Sequence, residues 1–182
     1  MKPHHLFALL LPPAVRSVSA QTDAPACAHL LAVAKTNARE ALGSRSLQNC
    51  GPNGIAALAD LVRGAGSQSD TAYLLTLRMA TMERSARPIL DAAVSLVTNH
   101  DASLASRLEG LQILVQQVYG FEGSLGGDFA EPDGSCVLIT RSERLPGAAD
   151  TLLQVGKRLA DDRSDIMPVR QAGLCIVRHF RP

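Results

Sequence analysis

The phrase RLEGLQILVQ at residues 107–116 returns as RQAGLCIVRH at residues 170–179. Arg, Gly, Leu and Ile occupy the same places in both copies, and Leu114 is replaced by a similar Val177. Self-similarity at a fixed offset is the sequence signature of proteins built from stacked repeats. The doubled phrase therefore predicts a repeat architecture, and the offset between its copies is 63 residues.

The same offset holds upstream of the phrase without a gap. Four apolar or small residues match there: Ile89 with Leu152, Leu90 with Leu153, Ala93 with Gly156, and Leu96 with Leu159. A shift of 34 residues in the other direction gives a third, weaker copy that contains Ile55, Ala56, Ala59, Val62, Leu77 and Met79. The apolar positions of each copy recur at or near the spacing i, i+1, i+4, i+7, which indicates one buried helix face.

Short polar links separate the two apolar stripes of each copy. These links are residues 64–70, 99–103 and 161–165, and they are rich in Gly, Ser, Asn and Asp. Such residues favour turns and the first positions of helices. Each copy is therefore predicted to be a helix, a turn and a second helix.

An acidic residue precedes the Arg of each complete copy. Asp101 lies six positions before Arg107, and Asp165 lies five before Arg170. The phrase DIMPVRQA at residues 165–172 resembles a HEAT repeat, in which an acidic turn residue precedes Val-Arg-x-Ala at the start of the inner helix.

The resemblance covers roughly residues 52–118 and 146–180, although the first unit has Tyr73 in place of the Arg. It implies an all-α fold, a short solenoid of about three HEAT-like helical hairpins. It also implies that Asp101, Arg107, Asp165 and Arg170 form a structural ladder between successive units. An ordinary helical bundle is the alternative.

The first 20 residues have the features of a signal peptide. Lys2 starts a weakly basic region, residues 6–11 are a short apolar core, and VSA at residues 18–20 fits a signal peptidase site. A buried N-terminal helix is the alternative, but Pro12 and Pro13 argue against it. We therefore expect export to the periplasm or the medium, with one helical domain over residues 21–182. The context of Cys27 does not predict a lipid anchor.

The charge balance and the lengths of the apolar segments argue against a nucleic acid partner and a membrane span. Removing residues 1–20 takes away Lys2 and Arg16 and no acid, which leaves 16 basic and 17 acidic residues. The chain has no dense basic run and only two Tyr and four Phe, so we expect no nucleic acid partner. Beyond the signal peptide, no segment is long and apolar enough for a membrane span.

All four cysteines lie after the predicted cleavage site, at Cys27, Cys50, Cys136 and Cys175. An even number in an oxidising compartment predicts two disulfides, for which three pairings are possible. We favour Cys27–Cys50 and Cys136–Cys175. Residues 25–42 are predicted to be one helix ended by Gly43, and the first bond would clamp that helix to the next unit.

A metal site is the alternative use of these cysteines. No C-x-x-C motif occurs, and the remaining histidines, His29, His100 and His179, are scattered. We therefore expect no metal and no other cofactor.

The segment of about residues 119–145 interrupts the repeat. Residues 120–135 are too rich in Gly for a helix, residues 136–140 are predicted to be extended, and Pro146 is predicted to open the next helix. Insertions in solenoids map to loops on one face, which is often the binding face. A recognition loop would present Phe121, Asp128, Phe129 and Asp133.

Two other interpretations of this segment remain open. It could be a surface loop without a binding role that one disulfide holds in place, or its acidic residues could bind calcium. The acids do not have the spacing of an EF-hand loop, which disfavours calcium.

The sequence contains no recognisable catalytic motif. Gly-x-Ser-x-Gly, the P-loop, H-E-x-x-H and the dinucleotide-binding signature are all absent. We therefore expect a protein- or peptide-binding scaffold without enzymatic activity, which uses the face of the second helices. Six residues are predicted to line that face towards solvent: Arg78, Glu109, Gln112, Gln116, Gln171 and Arg178. The alternative is a small-ligand binder or an enzyme that uses the 119–145 loop.

Overall fold

The computed structural model describes residues 24–44, 46–130 and 134–180. The predicted signal peptide and Asp133 lie outside these residues. The described chain is mostly helical, as the sequence predicts, with a single two-stranded sheet between the sixth and seventh helices. The helices are α1 (Ala24–Thr36), α2 (Ala38–Gly43), α3 (Gly51–Gly64), α4 (Thr71–Met82), α5 (Arg87–Val97), α6 (Leu104–Tyr119), α7 (Ala148–Asp161) and α8 (Met167–His179).

The N-terminal segment forms two helices, so the prediction of one helix over residues 25–42 was wrong. The break falls at Asn37, whose side-chain Oδ1 accepts a hydrogen bond from the Glu40 N–H at 3.3 Å. Asn competes with helical hydrogen bonding through its side chain and is favoured at helix starts. The clamp agrees with the sequence interpretation, because the structure joins Cys27 to Cys50 with a Cα–Cα distance of 5.4 Å.

Six of the helices form three hairpins, α3–α4, α5–α6 and α7–α8. The polar links within the first two hairpins supply side-chain caps to their second helices. Asp70 accepts hydrogen bonds from two N–H groups of the first turn of α4, and the Ser103 hydroxyl accepts one from Ser106 at the start of α6. The third hairpin starts later than predicted, since α7 begins at Ala148. Gly147 precedes it in the left-handed conformation, so Pro146 lies outside the helix.

The hairpins pack side by side. Helix α3 lies against α5, and α4 lies against α6, so the first two hairpins contact each other through equivalent helices. The third hairpin contacts α6 through both α7 and α8. Helix α6 is therefore in the middle of the molecule, and residues 113–119 are all buried.

Helices α7 and α8 approach each other very closely. A Cβ atom at Gly173 would lie 2.8 Å from the backbone N of Ala160, and one at Gly156 would lie 2.7 Å from Ile176 Cγ2. Neither position has room for a larger residue at this separation. The two glycines therefore set the distance between these helices.

The predicted irregular insertion is partly regular. Strands β1 (Ser124–Gly127) and β2 (Cys136–Ile139) form an antiparallel hairpin in which Leu125 is opposite Leu138. These two leucines are buried, whereas Val137 and Ile139 are exposed on the other face. This alternation fits a sheet with one covered face. A disulfide between Cys136 and Cys175 attaches β2 to α8.

Candidate functional site: a cleft between α4, α6 and β1

The β-hairpin lies beside the second helices and forms one wall of a cleft with α4 and α6. We call this the α4–α6 cleft. Its volume is about 350 Å³. Apolar side chains make up most of its walls, namely Leu74 of α4, Leu108 and Leu111 of α6, Leu125 of β1, and Phe129 of the loop that follows. A concave site of this kind suits an apolar group of a ligand or partner.

Two charged residues in the cleft form an ion pair between α4 and α6. Arg78 Nε lies 3.0 Å from Glu109 Oε1, and the side chains are 27% and 20% exposed. Burial raises the pKa of the Glu109 carboxyl above its usual value, and the Arg78 charge opposes this rise in pKa. The pair gives the apolar cleft one polar position that can distinguish a partner group by its charge.

Gln112 fixes the β-hairpin on α6. Its side-chain Nε2 donates to the backbone O of Leu125, and the Leu125 N–H donates to Gln112 Oε1 at 3.2 Å. One side-chain amide thus satisfies both backbone groups of a strand residue. The wall of the cleft formed by β1 is positioned by a residue of α6.

The structure places the residues predicted for the recognition loop in different surroundings. Phe129 is partly buried and lines the cleft. Phe121 is 65% exposed and lies outside it. Asp128 is exposed, and its carboxylate accepts a hydrogen bond from the Ala130 N–H at 3.1 Å, which forms a local turn. Among the described members of this set, only Phe129 contributes to the cleft.

The six residues predicted to face solvent also have different surroundings in the structure. Arg78, Glu109 and Gln112 line the cleft. Gln116 is buried instead of solvent-facing, because α6 is covered on several sides. The remaining two, Gln171 and Arg178, lie on α8, away from this cleft.

Among the cleft residues that the sequence did not predict are Leu74, Leu108 and Leu125. Leu108 occupies the place of Gln171 in the second copy of the doubled phrase. An apolar residue in one copy, at a position that is polar in the other copy, indicates that the two helices have different surroundings there. Leu125 was an isolated apolar residue in a Gly-rich run, which is also a usable signal.

Two of the four residues predicted for the ladder, Arg107 and Asp165, contact each other. Arg107 is 2% exposed, and its guanidinium donates two hydrogen bonds to the Asp165 carboxylate, one of them at 2.6 Å from Nη1 to Oδ1. Its Nε also donates to the Val97 carbonyl at 2.8 Å. Burial would raise the pKa of Asp165, but hydrogen bonds from Arg107 and from the Ile166 N–H hold that pKa below its usual value. The pair joins the second hairpin to the third.

The other two ladder residues do not form such a pair within the described chain. Asp101 is exposed, and Tyr73 stands where the first hairpin would need an Arg to meet it. Arg170 is partly buried, and its Nε has no hydrogen-bond partner among the described residues. The first hairpin thus lacks an arginine that could pair with Asp101. Among the described residues, none supplies an acid to Arg170.

A second polar contact lies next to the Arg107–Asp165 pair. His100 Nε2 is 3.1 Å from Asp162 Oδ2, and the two residues belong to the turns of the second and third hairpins. Hydrogen bonds from the Ser164 hydroxyl and N–H, together with His100, lower the pKa of Asp162, opposed by partial burial. His100, Asp162 and Asp165 are close enough to share a cation. Arg107 already occupies the Asp165 carboxylate, so the cluster is better explained as a contact between hairpins.

Comparison of the chain with protein-family models, with curated proteins and with solved structures finds no match. Within the residues that the structure describes, no helix has the length and apolar character needed to cross a membrane. The case for a function therefore rests on the geometry and chemistry of the α4–α6 cleft.

Proposed function

We propose that the protein is an exported helical-repeat scaffold that binds another protein or peptide through the α4–α6 cleft. The observation that carries the proposal is the Arg78–Glu109 pair, which is held between apolar walls at the face of the second helices. Burying a charged pair is unfavourable unless its remaining hydrogen-bonding capacity is satisfied. A partner that inserts an apolar side chain and bonds to this pair would satisfy both parts of the cleft.

The arrangement of the three hairpins supports this proposal. The first and second hairpins contact each other through equivalent helices, and the Arg107–Asp165 pair connects the second hairpin to the third. Both features are expected of HEAT-like units, whose stacked second helices form an extended binding face. The disulfides support export, because paired cysteines are typical of oxidising, non-cytoplasmic compartments.

The proposal assigns no catalysis to the cleft. Its two charged side chains are paired with each other, and no Cys, His or Ser is among the described residues that line it. A small-ligand binder is the second candidate, because the insertion contributes Leu125 and Phe129 to the cleft wall. A cleft of this volume could also hold a small organic molecule.

The two phenylalanines of the insertion provide a matched test. We would replace Phe129 or Phe121 by the photo-crosslinking analogue benzoylphenylalanine, express each protein with its leader, and irradiate the exported fraction. N-terminal sequencing checks export, with Gln21 expected as the first residue. The proposal predicts a discrete protein adduct from position 129 and none from position 121, because only Phe129 lines the cleft.

A second substitution links the adduct to the cleft. Leu108→Glu places a carboxylate among the apolar walls and should reduce the adduct from position 129 by about tenfold, since about 1.4 kcal/mol of lost binding has that effect. Equal adducts from both positions would contradict the proposal. An added mass of only a few hundred daltons at position 129, measured by intact-protein mass spectrometry, would favour the small-ligand alternative instead.

A further inference from the structure

The outer edge of β2 has backbone groups without partners. Leu125 of β1 uses its N–H and C=O on the side chain of Gln112, so it does not bond to β2. Leu138 is directly opposite Leu125 in the register. In an antiparallel pair, opposite residues either exchange both backbone bonds or direct both groups outward. The N–H and C=O of Leu138 therefore point away from β1.

The adjoining pairs fit the same alternation. The Asp128 N–H donates to the Ser135 carbonyl at 2.9 Å, which makes this a hydrogen-bonded position of the ladder. The next residue along β2, Cys136, then also directs its N–H and C=O outward. Within the described chain, no hydrogen bond is made by the backbone of Cys136 or Leu138 on that side. Two residues in register thus present an unpaired strand edge.

A groove lies along this edge. It is bounded by residues 134–138 on one side and by Cys175, Arg178 and His179 of α8 on the other, and its volume is about 480 Å³. Five residues of extended chain span roughly 15 Å at about 3.3 Å per residue. The groove therefore runs along enough of β2 for a short extended segment, and the Cys136–Cys175 disulfide joins its two sides.

The charge of the groove indicates the kind of segment. Arg178 and His179 are exposed in the last turn of α8, and the described lining contains no acidic residue. The described residues also provide no acid within ion-pair distance of Arg178. Val137 and Ile139 are 59% and 49% exposed on the outer face of the hairpin. A complementary segment carries β-branched apolar residues and a carboxylate.

We propose that the outer edge of β2 binds an extended acidic segment of a partner protein as a third strand. The backbone of that segment bonds to Cys136 and Leu138, its apolar side chains cover Val137 and Ile139, and its carboxylate lies near Arg178. Strand addition of this kind takes affinity from main-chain hydrogen bonds and specificity from alternate side chains. A second copy of this chain fits poorly, because its own α8 would bring the same basic residues to the groove.

This surface is separate from the α4–α6 cleft, so the two proposals can fail independently. The probe is the synthetic peptide acetyl-Thr-Val-Thr-Val-Asp, added to ¹⁵N-labelled oxidised protein lacking residues 1–20. We expect amide exchange at Cys136 and Leu138 to slow by at least about tenfold when the peptide is bound. Exchange at Val137 and Ile139 should change little, because their N–H groups are already bonded to β1.

Two matched controls test the mechanism. A peptide N-methylated at alternate residues keeps the side chains but loses the N–H groups of one edge, and should bind about tenfold more weakly. Arg178→Gln should weaken binding of the unmodified peptide about threefold, as expected for an exposed ion pair. Arg158→Gln, which changes an exposed arginine of α7, should have no effect.

Four results would overturn the proposal. The first is no binding of the unmodified peptide at millimolar concentration. The second is binding that is indifferent to N-methylation, and the third is exchange protection confined to residues of the α4–α6 cleft. The fourth is protection of Leu138 without peptide that increases with protein concentration, which would identify a second copy as the occupant.

Discussion

The second and third hairpins contain similar ten-residue phrases, but the phrase has different surroundings in each. In α6, the leading Arg107 is almost completely buried and bonds to Asp165 of the next hairpin. In α8, the equivalent Arg170 is only partly buried and its Nε has no partner among the described residues. The same arginine therefore joins two hairpins only where the neighbouring hairpin supplies an acidic partner.

The glycines of the phrase differ in the same way. A Cβ at Gly110 would meet the side-chain atoms Val97 Cγ2 and Leu96 Cδ2, at 3.0 and 3.2 Å. A Cβ at Gly173 would meet the backbone N of Ala160 at 2.8 Å. The third hairpin has closer helices, and upstream it has Gly156 where the second has Ala93.

The largest expected difference between the two copies concerns the arginines. Arg107→Ala leaves the Asp165 carboxylate buried without its partner, which should lower the free energy of unfolding by about 3–5 kcal/mol. Arg170→Ala should lower it by about 1 kcal/mol or less. Urea titration followed by far-UV circular dichroism measures both, since the chain has no Trp for fluorescence.

A double variant keeps this prediction testable if Arg107→Ala does not fold. Arg107→Met combined with Asp165→Leu removes both charges and should recover most of the lost stability, because no buried charge remains unpaired. Equal losses from Arg107→Ala and Arg170→Ala would show that the two positions are equivalent after all.

A smaller difference is expected between the glycines. Gly173→Ala forces two backbones apart and should reduce stability by about 1–3 kcal/mol, despite the better helix propensity of Ala. Gly110→Ala should change stability by less than about 1 kcal/mol, because the side chains of Leu96 and Val97 can move. Thermal unfolding midpoints of the two variants test this, and a greater loss in Gly110→Ala would contradict it.

The smallest expected effect is a pH dependence specific to the contact between the two hairpins. The pKa of Asp165 is lower in the folded protein than its unfolded value of about 3.9. Its contribution is therefore fully present above that value and is lost as pH falls through the folded pKa. The part of the stability that depends on Asp165 should be level from pH 7 to 5 and decline below pH 4.

The slope of this acid decline is the measurable quantity. It should be shallower in the Arg107→Met, Asp165→Leu double variant, because that variant has no ionised carboxylate at position 165. An identical acid slope in the double variant and the unmodified protein would assign the decline to other carboxylates.

Features that depend on local pattern could be predicted from the sequence. The apolar spacing and polar links located three helix pairs, and the Gly-rich run located the interruption between the second and third. The cysteines that the structure joins are the pairs favoured from the sequence, because each bond connects a segment to the adjacent helical unit. The stacking of these hairpins as a HEAT-like solenoid stays a prediction.

Features that depend on which surfaces meet could not be predicted. The Arg78–Glu109 pair joins two helices that are distant in sequence, and no residue spacing signals it. Gln116 is predicted to face solvent on the face of the second helices, but neighbouring elements cover α6. The helix break at Asn37 was missed because Asn is also found within helices, and only its side-chain hydrogen bond shows that it acts as a cap.

The double hydrogen bond between Gln112 and Leu125 has a consequence for how this protein can vary. Strand pairing in a free β-hairpin depends on its turn, so a change in turn length shifts the register. Here a helical side chain fixes the position of β1, and the disulfide at Cys136 fixes β2. These two attachments, and not the length of the connection alone, thus set the register of the strands. A variant with a longer or shorter connection between Asp128 and Ser135 should therefore keep the strands aligned.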